Sequence, residues 1–160
     1  MNNNLNNNFD DEDDNLNNYM QKNQESRIEM LYERDFVQIS YSPKHELVTI
    51  KLINDIAKED YKESWEVLLE EVIKKKNKNI IIDQRSMGRA SIESRAWFVI
   101  KWLPRLKKEV SEDIQVAILP SRSIAAKLGI QYLMSAAKSV SNMNIKVLNS
   151  DEEALVWFGF

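Results

Sequence analysis

The run Asn79-Ile80-Ile81-Ile82-Asp83 constrains the fold more than any other part of the chain. Three successive β-branched residues leave no face polar, which is the pattern of a strand covered on both sides, as in a parallel sheet sandwiched between helices. Asp83 is expected to end that strand. The loop that follows brings Arg85, Ser86, Gly88, Arg89 and Ser91 together before a long helical pattern opens at Ile92. A buried strand running into a polar, basic loop is the signature of an α/β unit and of a rim where something can bind.

The patterns on either side extend the same architecture. Val37, Ile39 and Tyr41 alternate with Gln38 and Ser40, and Val48, Ile50 and Leu52 alternate with Thr49 and Lys51, so period two predicts two strands. Ser42-Pro43-Lys44-His45 supplies turn chemistry between them and makes an antiparallel hairpin, with His45, the one histidine, at its tip. Tyr61, Trp65, Leu68, Leu69, Val72 and Ile73 form the apolar stripe of a helix closed by Lys74-Lys75-Lys76, whose charges offset the negative end of its dipole. A second helix is predicted from Ile92 to about Val110 with Ala96, Val99, Leu103 and Leu106 facing the core, kinked or split at Pro104. Ile114 to Leu119 reads as the next buried strand, and a third helix starts at Ser121 or Ser123 and carries Ile124, Leu128, Tyr132 and Ala136. Ile145, Val147 and Leu148 make a last strand. Ser150 and Glu153 have capping-box spacing for a final helix with Ala154, Trp157 and Phe158. The expected fold is α/β: an N-terminal antiparallel hairpin, then a largely parallel sheet built by right-handed crossovers and flanked by about four helices.

Composition bounds the function. At 160 residues the chain suits one domain. Residues 1–26 are asparagine-rich, carry the acidic run Asp10-Asp11-Glu12-Asp13-Asp14 and show no apolar period, so they are expected to form a disordered tail ahead of a domain at 27–160. No apolar run reaches the roughly 18 residues of a membrane span, and the tail lacks the basic start and apolar core of a signal peptide. With no cysteine there is no disulfide framework or thiolate metal site, which fits the cytoplasm. A net charge of -3 offers nucleic acid no bulk attraction. No Ser-His-Asp, Cys-His or HExxH set and no glycine-rich phosphate loop can be assembled, so neither catalysis, a cofactor nor a metal is expected.

This order of elements resembles the STAS domains, and more closely their SpoIIAA-like branch of small bacterial proteins. The residues that carry the likeness are Ile80-Ile81-Ile82-Asp83-Gln84-Arg85, Trp102-Leu103-Pro104, Val116-Ala117-Ile118-Leu119 and Ser150-Asp151-Glu152-Glu153-Ala154-Leu155-Val156-Trp157, within roughly 34–160. The resemblance implies a non-enzymatic regulatory or protein-interaction module whose contact surface is the loop after the central strand. In antagonist-type members a serine at the start of the next helix is phosphorylated. Ser91 stands closest to that position, preceded by Ala90 where those members have aspartate.

The expected binding residues are therefore Asp83, Arg85, Ser86, Arg89 and Ser91, with Arg122 from the next strand's loop on the same rim. Two readings stand side by side: a protein partner, including a second copy of the chain, or a small anionic or amphipathic ligand at the carboxyl rim with the arginines supplying charge. Asp83 is also expected to bond its own loop or pair with Arg85, and Ser91 to cap a helix. Trp97 and Trp102 are candidate interface anchors, because one helix cannot turn every apolar residue between Ala96 and Leu106 toward the sheet.

Overall fold

A computed structural model describes residues 27–110, 113–121, 135 and 144–160. The expectations for the tail at 1–26, the third helix and Arg122 lie outside the described residues. Six strands form one sheet in the order β1 (Glu29–Arg34), β2 (Val37–Ser42), β3 (Leu47–Asn54), β4 (Asn79–Met87), β5 (Gln115–Leu119) and β6 (Asn144–Val147). The first three pair antiparallel and the rest parallel. The hairpin and its 3-10 turn Pro43–His45 are as the alternation implies. Strand β1 is an addition: it pairs along β2 with a register shift between Met30 and Tyr32, which breaks the period-two signal.

Alternation divides the sheet into two faces. Val37, Ile39, Val48, Ile50, Leu52, Ile80, Ile82, Val116 and Ile118 pack on one side against helix α1 (Lys58–Lys75) and the helical segment after β4. That segment runs as α2 (Ile92–Trp97), a π turn (Phe98–Trp102) and α3 (Leu103–Glu109). Leu47, Ile81, Ala117, Leu119 and Leu148 lie on the opposite side under helix α4 (Asp151–Phe158), which contributes Ala154. The isoleucine run is thus buried from both sides, as its composition requires.

Local chemistry sets the helix ends. Glu153 N donates to Ser150 Oγ (3.2 Å) and the Glu153 carboxylate accepts from Asn149 N (2.9 Å), so the capping box closes one residue further back than in its usual form. Lys76 ends α1 in the left-handed region (φ 53°). Pro104 has no N–H to continue the α ladder, and the strain is taken up upstream, where Leu103 N donates to Phe98 O across a π turn.

The π turn changes which residues face the core. Phe98, Val99, Trp102, Leu103 and Leu106 are buried, Ala96 is half-buried and Ile100 is exposed. Trp102 is therefore not an interface anchor: it has no exposed surface, stacks on Phe98 (5.2 Å between centroids) and donates from Nε1 to Trp65 O at 2.7 Å. Trp97 remains half-buried, with Lys62 Nζ 6.0 Å from its ring centroid. Burial pushes the Tyr61 hydroxyl beside this aromatic cluster up to about 12. Ile73 also differs from expectation, since it lies at the last turn of α1 and is 42% exposed.

These two positions on α1 give a paired test. Leu68→Ala, in the fully buried stripe, should cost about 2–5 kcal/mol by chemical denaturation, whereas Ile73→Ala should stay within about 0.5 kcal/mol. Equal costs would contradict the placement of the stripe.

Candidate functional site

The site is built where β4 outruns its neighbour β5. Pairing with β5 stops at Asp83–Leu119, while pairing with β3 continues through Ile53–Ser86 and Asn54–Met87 after a register shift. Asp83 therefore does not end the strand, contrary to the sequence expectation. Between Lys51–Asp83 and Ile53–Ser86, β4 carries one residue more than β3, a bulge. The Asp83 carboxylate takes up the N–H of Arg85 there: Arg85 N donates to Asp83 Oδ1 at 2.9 Å. A polar side chain at this point is what lets the strand pass the bulge without an unpaired donor.

Residues two apart on a strand share a face, so Arg85 folds back on Asp83. Its Nε donates to Oδ1 at 2.9 Å and its Nη2 to Oδ2 at 2.8 Å, a bidentate pair, and Nη2 also donates to Asp151 Oδ2 at 2.7 Å. Asp151 is the first residue of α4, so one guanidinium links the central strand to the helix on its outer face. The Asp83 side chain is 6% exposed, that of Arg85 38% and that of Asp151 49%. Burial pushes the Asp83 carboxyl up, but the hydrogen bonds from the Arg85 side chain and backbone, with the charges of Arg85 and Lys51, outweigh it and hold the group below its ordinary value. The same Asp83 hydrogen bond holds Arg85 more firmly protonated, against its own desolvation and with help from Asp151.

The far end of the exposed segment is fastened to the loop after β3. Gly88 N donates to Asn54 O (2.7 Å), Ile56 N to Arg89 O (2.9 Å) and Arg89 N to Asp55 Oδ1 (2.7 Å). Gly88 is required by this close approach: a Cβ there would collide with Asp55 Oδ1 and stand 3.0 Å from the backbone of Asn54 and Asp55. The Arg89 side chain lies in solvent, with Nε 3.3 Å from Asp55 Oδ2. Ser91 caps α2 by accepting from Ser94 N (3.0 Å), and its Oγ lies 2.8 Å from Ser94 Oγ.

Of the sequence-predicted site residues, Asp83 and Arg85 are brought together, and Ser86, Arg89 and Ser91 follow on one exposed stretch. Both described arginines already have carboxylate partners. Sequence reasoning missed Asp151 and Asp55, which lie 66 and 34 residues from their arginines. A shallow depression lined by Glu33, Arg34, Asp35, Phe36, Gln38 and Ile53 contains none of the expected site residues. Among the described residues no cluster of His, Cys, Asp or Glu is placed to hold a metal, and no helix is long and apolar enough to cross a membrane.

No family model matches the sequence, and no curated protein matches it. Among solved structures, the chain is similar to an uncharacterized protein from the DUF3478 family with a SpoIIAA-like fold from Shewanella loihica PV-4. The two share 18% sequence identity over 82% of this chain and 92% of that one, with a TM-score of 0.49.

Arg85→Met keeps the stem but leaves Asp83 buried without its main partner. Because Arg85 is partly solvated, the cost at pH 7 should be about 1–3 kcal/mol, below that of a fully buried pair. The pH dependence has a definite sign. With its folded value depressed, wild-type Asp83 contributes stability above its unfolded pKa of about 4 and loses it as pH falls through the folded value. In the variant burial is opposed only by the backbone N–H of residue 85 and the charge of Lys51, so the folded value rises relative to wild type and the stability gained above pH 4 shrinks. Urea denaturation from pH 3 to 7 should show the deficit growing with pH; a constant deficit would contradict the pairing. Gly88→Ala should cost at least about 1 kcal/mol, as an inserted methyl does in a site with no room.

Proposed function

We propose that this chain is a non-enzymatic protein-interaction module of regulatory type that meets its partner with the rim segment from Arg85 to Ser91. The observation that carries this reading is that the segment is exposed yet fastened at both ends, by Asp83 and Asp151 at Arg85 and by the Asn54–Ile56 loop at Gly88 and Arg89. An exposed loop already fixed in shape loses little entropy on binding, which favours affinity. It offers Ser86, Arg89 and Ser91 to a partner. Ser91 is the natural point of control: the residue is exposed, and a phosphate on the oxygen that accepts from Ser94 N would add charge at the start of α2. The anion-binding reading is less well supported, because a ligand at Arg85 has to compete with two carboxylates already bound to it.

A photocrosslinking residue at Ser86, in the native host, should capture one discrete protein, and Arg89→Glu should reduce that capture without lowering the melting temperature. The same crosslinker at Glu70, on α1, should not capture it. Equal capture from both positions, or none from Ser86, would overturn the reading.

A further inference from the structure

The helical segment after the rim leaves an apolar stripe in solvent. Ile92 is 87% exposed and Ile100 60%, with Ala96 half-buried between them. Spacing of four puts the three on one side of the helix, and the π turn holds Ile100 outward while Phe98, Val99 and Trp102 go into the core. The order Ile, Ala, Ile is the same read from either end. Under a two-fold axis residue i of one copy meets j of the other and j meets i, so an antiparallel pair centred on Ala96 sets isoleucine against isoleucine on both sides.

We propose that this stripe docks a second copy of the chain. The two helical segments run antiparallel with Ala96 against the partner's Ala96, and each Ile92 lies against the partner's Ile100. A small residue at the crossing lets the helices approach closely. Charge selects the same occupant. Glu93 and Lys101 follow the two isoleucines by one position each, so the antiparallel arrangement brings each Glu93 near the partner's Lys101. Lys101 is exposed and makes no ion pair among the described residues. Glu93 spends Oε2 on Lys58 (2.6 Å) and keeps Oε1 for a second cation. Two isoleucines and an alanine per copy cover far less than the roughly 800 Å² per partner of a standard interface. The dimer is therefore weak and set by concentration. The surface begins one residue beyond the rim segment and requires nothing of the rim reading.

Sedimentation equilibrium of the full chain, from micromolar to about 1 mM, tests this directly. Wild type should show a monomer–dimer equilibrium, and Ile92→Asp and Ile100→Asp should each weaken it at least about tenfold, with melting temperatures unchanged because both sites are exposed. Glu93→Lys and Lys101→Glu should each weaken it, and the double exchange should restore it. A monomer throughout the range overturns the proposal. So does a dimer that tolerates Ile100→Asp, or a double exchange as weak as the single ones. Capture of a different protein at Ser86 is read by mass and does not depend on these outcomes.

Discussion

A carboxylate where the doubly covered part of β4 gives out is the constraint on which the site depends. Ile80 to Ile82 can be buried from both faces because they have no polar side chains to satisfy, but Asp83 continues the same face as Ile81 and cannot stay there as an unpaired charge. Arg85 resolves this with a bidentate pair, and the bulge between Asp83 and Ser86 gives the guanidinium its direction. Three consequences follow from one side chain. The strand continues to Met87, α4 is tied down through Asp151, and the loop beyond Met87 starts from a fixed point.

The features set by local pattern were legible in the sequence. Alternation placed the hairpin, the isoleucine run placed β4, and Ser150 with Glu153 placed α4. Where the period is interrupted, the reading failed. The register shift in β1 goes with a contiguous run, Met30-Leu31-Tyr32, flanked by charged residues, rather than an alternating one. The π turn advances the helix by a different angle per residue, so a 3.6 period set Ala96 in the core stripe and left Trp102 outside it as a candidate anchor, whereas Trp102 is fully buried and Ala96 only half-buried. The spacing Asp-x-Arg was enough to propose that Asp83 and Arg85 pair. Nothing local could show that Asp151 completes the link, because that contact depends on α4 crossing the sheet.

Of the arginines expected to supply charge to an anion, Arg85 is bonded to Asp83 and Asp151, and Arg89 is held to the loop after β3 through its backbone N–H. What the rim presents is shape and hydrogen-bonding side chains rather than uncompensated positive charge. The exposed stripe from Ile92 to Ile100 begins beyond the rim segment and is a separate surface.

The central claim is that the Arg85 guanidinium holds both the rim segment and α4 against the strand. Native-state hydrogen exchange of wild type and Arg85→Met measures it amide by amide. The account predicts faster exchange in the variant for Ser86 to Ser94 and for Ala154 to Phe158 together, with α1 unchanged. Unaltered protection in both segments, or loss spread evenly over the whole domain, would contradict it.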